Sequence, residues 1–180
     1  MLKFLCVAVS AAFLLVGSAH AEEGARRSLM PWHDGAKPNV ALTDIAGTHH
    51  DISTIRGQVV LVHFFATWCE PCVPELSSLR DLTERSRAKP LKVVAVDVGE
   101  VDARVRRFFK KLPVNFPVVL DRDRAVTMAW DVQALPTTYV LDGQLMPRFV
   151  AIGDIDWTRP DVVALLDTLI MTNSKQEEQL

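Results

Sequence analysis

The sequence predicts an α/β fold in which a central mixed β-sheet is flanked by helices. Two unbroken runs of β-branched and aromatic residues, at 59–65 and 93–98, are typical of strands covered on both faces. The segment between them has the length of a helix and carries Leu76, Leu79 and Leu82 at three-residue spacing. A strand, a helix and a second strand in this order predict a parallel pair of strands.

Further elements are predicted on both sides of this unit from apolar periodicity and turn residues. In chain order they are a hairpin with its bend at 45–48, an amphipathic helix from Val101 to Leu112, a strand at 116–120, a helix near 126–130, an antiparallel hairpin of 137–141 and 148–152, and a helix after Thr158 with a buried stripe at Val162, Leu165, Leu166 and Leu169.

The 180 residues, 49% of them apolar and 23% charged, are enough for one compact domain with terminal extensions. Lys3, the apolar run at 4–16 and the segment Ala19-His20-Ala21 predict a cleaved signal peptide. An uncut membrane anchor is the alternative, but the run is shorter than the roughly 20 apolar residues that span a bilayer. The predicted divisions are a signal peptide at 1–21, a linker or N-terminal arm at 22–38, the domain at 39–171 and a polar C-terminal tail at 172–180.

Charge excludes one class of partner. The formal net charge of −2 offers no general attraction to nucleic acid. Separately, we expect the protein to be a monomer. The polar face of the helix after Val101 is basic, which indicates a solvated surface or, alternatively, a surface for an acidic partner or an anionic membrane.

Removal of the signal peptide would remove Cys6 and leave Cys69 and Cys72 in the mature chain. Disulfides persist in exported proteins, so two closely spaced cysteines there can form one. A disulfide across so small a loop restricts the unfolded chain little, which indicates a chemical purpose. Zinc is the alternative, but it needs two more ligands, and neighbours such as His49 and His50 on a strand point to opposite faces. We therefore expect no metal and no cofactor besides the cysteine pair.

A dithiol switch needs two sulfurs within bonding reach, one of them ionised. We predict a helix that begins near Glu70, which places Cys69 at the end where free backbone amides stabilise a thiolate. Cys72 then lies one turn inside, placed to resolve a mixed disulfide. Pro71 stiffens the loop, and the Glu70 carboxylate opposes part of the helix-end effect, which favours a more reducing pair. Glu75, on the same helical face as Cys72, is a candidate proton acceptor or an ordinary exposed helix residue.

The chain resembles the thioredoxin superfamily and, within it, the exported TlpA/ResA-like reductases. The resemblance covers about residues 39–170 and depends on the strand at 59–65 leading into Ala66-Thr67-Trp68-Cys69-Glu70-Pro71-Cys72, on Phe116-Pro117-Val118, and on Leu135-Pro136-Thr137-Thr138.

This resemblance implies a thioredoxin-like fold in which the helix and strand at 101–120 are a central insertion. It also implies that Pro136 is cis and lies against the active-site disulfide. A cis X-Pro bond is uncommon enough to indicate a structural purpose. The substrate-binding residues implied are Trp68, Glu70, Pro71, Leu135 and Pro136.

Two residues bear on proton handling. Glu75 matches a carboxylate that the subfamily carries after its Glu-Pro loop. Six residues before Cys69, where thioredoxin has a buried aspartate and many relatives have asparagine, this chain has His63. A histidine there is either a proton acceptor near neutral pH or a satisfied core residue.

The expected function is therefore that of an enzyme, a protein disulfide oxidoreductase in the periplasm or an equivalent space. The resemblance implies a reductant of disulfides in partner proteins, such as apocytochrome c before haem attachment, that is recharged by a membrane electron donor. The alternatives are an oxidase or isomerase of secreted proteins, a reductase that supports copper delivery to an oxidase, and a non-enzymatic metal-binding module.

Overall fold

A computed structural model describes residues 29–177, with side chains through residue 174. The predicted signal peptide at 1–21, Cys6, the first part of the predicted arm and residues 178–180 lie outside the described residues. Within residues 29–177, no helix is long and apolar enough to cross a membrane.

A six-stranded mixed sheet forms the centre of the fold, and a two-stranded hairpin lies beside it. The strands are β1 (Met30–Pro31), β2 (Ala41–Thr43), β3 (His49–Asp51), β4 (Val59–Phe65), β5 (Leu91–Val98), β6 (Val118–Asp121), β7 (Thr137–Leu141) and β8 (Pro147–Ile152). The order in the large sheet is β1-β8-β7-β4-β5-β6, with β4, β5 and β6 parallel and the other pairs antiparallel. The predicted parallel pair, both predicted hairpins and the fold class are confirmed.

Four α-helices pack on this sheet: α1 (Cys72–Arg85), α2 (Asp102–Lys111), α3 (Ala125–Ala129) and α4 (Pro160–Glu177). Helix α4 continues past the start of the predicted polar tail at 172. Asn173 is buried there, and its side chain lies against the backbone at Gly143. This tertiary contact at the β7–β8 turn accounts for an ordered end in a stretch whose composition predicts fraying.

The alternation of side chains along β4 divides the core into two layers. Leu61 and Phe65 face a cluster that includes apolar residues of α1, α2 and α4. Val60, Val62 and Phe64 face the opposite cluster, which contains Trp130 and the inner side of the β2–β3 hairpin. In α4 the buried apolar positions are Val162, Leu166 and Ile170, whereas Leu165 and Leu169 are only half-buried. Both faces of β4 are thus covered, as its continuous apolar run predicts.

The predicted N-terminal arm is attached to the domain from Met30 onward. Strand β1 pairs with β8, and the Trp32 ring packs edge-on against Tyr139 with 5.3 Å between centroids. The Lys37 ammonium lies 4.6 Å from the centre of the Trp32 ring, a cation–π contact. Apolar and cation–π contacts therefore hold a segment that has no periodicity in the sequence.

Candidate active site

The segment between β4 and α1 carries both cysteines. After Phe65 the chain turns, and the Cys69 carbonyl accepts the Cys72 amide at 3.1 Å. Helix α1 begins at Cys72, two residues after the predicted start near Glu70, and Pro71, whose backbone angles are already helical (φ −67°, ψ −16°), precedes it. Cys69 therefore lies immediately outside the amino end of α1, where the helix dipole favours an anion.

The two cysteines form a disulfide with an S–S distance of 2.00 Å and a Cα–Cα distance of 5.3 Å. Cys69 keeps 4% of its surface exposed and Cys72 keeps none. Trp68, which is 65% exposed, precedes Cys69, and the exposed residues Glu70 and Pro71 follow it. An external thiol or disulfide therefore reaches the pair at Cys69.

Pro136 lies at the same edge of the sheet, and the predicted cis bond between Leu135 and Pro136 is confirmed. Strand β7 runs antiparallel to β4 and pairs Thr137 with Phe64, so the residues before β7 lie where β4 leads into the cysteine segment. Leu135 is half-buried against the core cluster that contains both cysteines.

Glu75 is buried on α1, one turn beyond Cys72. Its Oε1 atom accepts a hydrogen bond from the indole Nε1 of Trp157 at 2.7 Å and another from the hydroxyl of Thr138 at 3.1 Å. The expectation of an ordinary exposed helix residue is thus wrong. A buried carboxyl held by two donors is positioned in a single orientation.

His63 is fully buried, and its Nδ1 atom lies 2.8 Å from the Thr138 hydroxyl oxygen. A threonine hydroxyl has one proton, and Thr138 donates it to Glu75. The hydroxyl oxygen must then accept from His63, which requires the proton to be on Nδ1 and leaves Nε2 as an acceptor. Hydrogen bonding thus assigns the tautomer and links His63, Thr138 and Glu75 in one chain.

Burial lowers the pKa of His63 to about 3, so the imidazole is neutral near neutral pH. Its Nδ1 atom lies 3.7 Å from Glu75 Oε1, a separation that would make an ion pair only with a protonated ring. The neutral state of the ring favours the core-residue interpretation over proton acceptance by His63.

Sequence reasoning missed three residues of this region. Trp157 lies in the turn that precedes α4, and nothing in its local sequence marks it as a partner of Glu75. Asp97 and Glu100 lie near the end of β5, buried at the edge of the sheet where the cysteine segment begins. A charged residue inside an otherwise apolar strand is the signal that marks Asp97.

No group of three or more His, Cys, Asp or Glu side chains within the described residues is arranged to hold a metal ion. The redox-active group at this edge of the sheet is the Cys69–Cys72 disulfide.

A disulfide between two cysteines three residues apart, together with a cis-proline at the same edge of the sheet, places the protein in the class of thioredoxin-like thiol–disulfide oxidoreductases. Residues 35–146 match the AhpC/TSA family, and the chain belongs to that family.

Named relatives of this chain are called thiol-disulfide oxidoreductases. Thiol-disulfide oxidoreductase ResA of Bacillus subtilis is 41% identical over 105 residues, which cover 58% of this chain and 59% of that protein. ResA of Geobacillus kaustophilus is 32% identical over 132 residues, which cover 73% of this chain and 75% of that protein. A crystal structure from Chlorobium tepidum, named for the thiol:disulfide interchange protein DsbE, matches with a TM-score of 0.66 at 26% identity, covering 81% of this chain and 99% of that one.

These similarities confirm the thioredoxin-like fold and the enzyme class that the sequence predicts. The chain spans little more than half of the Bacillus subtilis relative and three quarters of the Geobacillus one.

The depressed pKa of His63 predicts a specific dependence of stability on pH. The folded protein binds fewer protons here than the unfolded chain between about pH 3 and pH 6.5, so the stability from this group is complete above pH 6.5 and is lost as the pH falls. For the oxidised protein, acidification should lower the free energy of unfolding of the wild type by about 1–3 kcal/mol more than that of His63→Asn. Denaturant unfolding at several pH values measures this difference.

His33→Asn is the matched control, because His33 is exposed, and it should follow the wild type. Parallel pH profiles for the wild type and His63→Asn would contradict a neutral buried imidazole.

Proposed function

We propose that this protein reduces disulfides in partner proteins outside the cytoplasm, with Cys69 as the attacking and Cys72 as the resolving cysteine. The observation that carries the proposal is the difference in access between the two sulfurs. Of the two sulfurs, only that of Cys69 belongs to a residue with exposed surface, and the exposed residues Trp68, Glu70 and Pro71 flank it in the chain. Leu135 packs against the same core cluster. The name thiol-disulfide oxidoreductase, which the ResA relatives carry, supports the same reaction.

The reaction proceeds in two exchange steps. The Cys69 thiolate attacks one sulfur of the substrate disulfide, forms a mixed disulfide and releases the other substrate sulfur as a thiolate. The Cys72 thiolate then attacks the Cys69 sulfur, which releases the second substrate thiol and forms the Cys69–Cys72 disulfide. Two electrons and two protons pass to the substrate, and a reduced thiol donor must restore the enzyme's dithiol.

Glu75 is the proposed proton acceptor for Cys72. Both residues are buried, and they lie one turn apart on α1, so bulk water has poor access to the Cys72 thiol. Trp157 and Thr138 orient the carboxyl from two sides. His63 is proposed to act through this chain, because its Nδ1 proton sets the direction of the Thr138 hydroxyl.

The proposed docking edge for the substrate consists of Leu135 and Pro136, with Trp68, Glu70 and Pro71 as the facing surface. Pro136 has no amide hydrogen, and the backbone carbonyl of Pro136 is occupied by the amide of Gly153 at 2.7 Å. Backbone pairing with an extended substrate is therefore proposed at Leu135, where the main chain approaches the cysteine segment.

The proposed substrate class is a protein with a disulfide between closely spaced cysteines, such as apocytochrome c before haem attachment. The resemblance to TlpA/ResA-like reductases supports this choice, and the predicted signal peptide supports a periplasmic location with a membrane protein as electron donor. Glu70 adds negative charge beside the thiolate, which destabilises the reduced anion and supports the reducing direction.

The roles of the two cysteines are tested by trapping. Cys72→Ser should accumulate a mixed disulfide through Cys69 when it is mixed with a disulfide substrate, because no second sulfur is present to release it. Non-reducing electrophoresis and mass spectrometry identify the linked cysteine. Cys69→Ser is the matched variant and should trap nothing; trapping by that variant instead would reverse the assignment.

The same Cys72→Ser variant tests the substrate when it is produced in cells. Apocytochrome c linked through Cys69 is the expected product, and capture of other secreted proteins with no apocytochrome c would contradict the proposed substrate while leaving the enzyme class intact.

The direction of electron flow is tested by a redox titration of the Cys69–Cys72 pair against glutathione or dithiothreitol. We expect a potential well below the roughly −120 mV of a strongly oxidising enzyme. A value at or above that level would reject the reductase and favour an oxidase of secreted proteins.

The proposed role of Glu75 predicts a slower release step in Glu75→Gln, by about 10²-fold, since the amide cannot accept the Cys72 proton. Stopped-flow oxidation of the reduced protein by a small disulfide, followed over pH, measures this step. Glu84→Gln, an exposed position on the same helix, is the control and should match the wild type. Equal pH–rate profiles for Glu75→Gln and the wild type would remove Glu75 from proton transfer.

A further inference from the structure

Two buried acidic residues that the exchange mechanism does not use lie beside the cysteine segment. Asp97 is at the end of β5, where it pairs with Phe65 of β4, and Glu100 follows three residues later. Asp97 is completely buried and Glu100 is 8% exposed. Because β4 and β5 are parallel, their carboxyl ends meet, and the chain that leaves β4 toward Cys69 passes next to these two carboxyls.

Glu100 binds the cysteine segment directly. One of its carboxylate oxygens accepts the backbone amide of Thr67, and the other accepts the Thr67 hydroxyl at 2.7 Å. Thr67 precedes Trp68 and lies two residues before Cys69. The carboxylate of Glu100 therefore fixes the backbone from which the reactive sulfur projects.

Asp97 in turn lies against Glu100. Its Oδ1 atom accepts the Glu100 backbone amide at 3.2 Å, and its Oδ2 atom is buried and receives no hydrogen bond from a donor of the described residues. A buried carboxyl oxygen that receives no donor and lies beside a second carboxylate favours the protonated form, which can share its proton with that neighbour. Both Glu100 oxygens accept from Thr67, which favours the ionised form of Glu100, so we assign the proton to Asp97.

Electrostatics agree with this assignment. Burial, followed by the hydrogen bond and the charge of Glu100, raises the pKa of Asp97 to about 8. Burial also opposes the charged form of Glu100, but the two donors of Thr67, together with Asp97 and Arg104, outweigh it and hold the pKa of Glu100 below its usual range. When their environments move the pKa values of two adjacent carboxyls in opposite directions in this way, the pair holds one proton near neutral pH.

Other charged and polar groups lie on the elements next to Asp97 and Glu100. On the α2 side, Asp102 is paired with Arg122 at 2.8 Å, and Arg104 lies 3.5 Å from Glu100 with most of its side chain in solvent. The groups on the other neighbouring elements are Asp121 on β6, which accepts the amides of Val126 and Thr127, Arg124, whose side chain lies over Gly99, the neutral His63 on β4, and the disulfide of Cys69 and Cys72.

We propose that Asp97 and Glu100 form a proton-sharing clamp that positions Thr67 and, through it, Trp68 and Cys69. Loss of the shared proton in mildly alkaline solution places two anions in one buried space, which breaks the contact between the carboxyls and loosens the hold on Thr67. Asp97 and Glu100 are thus positioning residues, and they make the cysteine segment sensitive to pH independently of the thiols. The inference rests on the dithiol chemistry of the site and not on the identity of the protein substrate.

The clamp is tested in the full chain in its oxidised state, where the cysteines do not titrate. The backbone amide resonance of Thr67 should shift with a midpoint near pH 8 in the wild type. In Asp97→Asn the shift should be lost, because the amide side chain still donates to Glu100 but has no proton to release. Asp81→Asn is the control, a half-exposed position on α1 that should keep the wild-type shift.

A Thr67 resonance that is constant through this pH range in the wild type, or that titrates unchanged in Asp97→Asn, would overturn the clamp. If Asp97→Asn does not fold, the side-chain carboxyl carbon of Asp97 in the wild type decides: a midpoint near pH 8 supports the shared proton, and the ordinary midpoint of an exposed aspartate overturns it.

Alkylation of the reduced protein separates positioning from a merely structural role. The rate at Cys69 should show an inflection near pH 8 in the wild type, in addition to the titration of the thiol itself, and Asp97→Asn should lose this inflection while keeping the thiol titration. Identical profiles for the two proteins would show that the pair does not act on Cys69. None of these measurements uses a protein substrate, so their failure would leave the proposed function unaffected.

Discussion

Everything at the active edge depends on the parallel pairing of β4 with β5 and the antiparallel pairing of β4 with β7. These registers bring the carboxyl ends of β4 and β5 to the same place as the start of β7. The cysteine segment, the cis-proline and the Asp97–Glu100 pair therefore meet without long connections. Both faces of β4 are covered by the core, and close packing fixes the position of the strand. The groups that follow the end of β4 are therefore held in place as well.

Two buried carboxyl groups near the cysteine segment are oriented by hydrogen bonds. Glu75 is held by Trp157 and Thr138, and Glu100 is held around Thr67. An unpartnered buried carboxyl would cost several kilocalories, so these arrangements are stable only while the proton count is right. The fold therefore requires particular protonation states of its buried carboxyl groups. These protons are separate from the thiol protons that move during disulfide exchange.

Access to the reaction is restricted by the same packing. Cys72 is enclosed, while the neighbours of Cys69 in the chain, Trp68 and Glu70, lie in solvent. A partner sulfur therefore reaches the pair at Cys69, beside this exposed segment.

The sequence by itself determined the fold class, the parallel pair β4–β5, both hairpins and the closely spaced cysteine pair, because these follow from periodicity and from motifs that are local in the chain. The cis bond at Pro136 followed from the resemblance to a known family. Local patterns do not show which distant side chains meet. The partnership of Glu75 with Trp157, 82 residues away, the neutral state of His63 and the pairing of Glu100 with Thr67 exist only once the strands are aligned. Their energies come from burial and hydrogen-bond geometry, and both are properties of the tertiary structure.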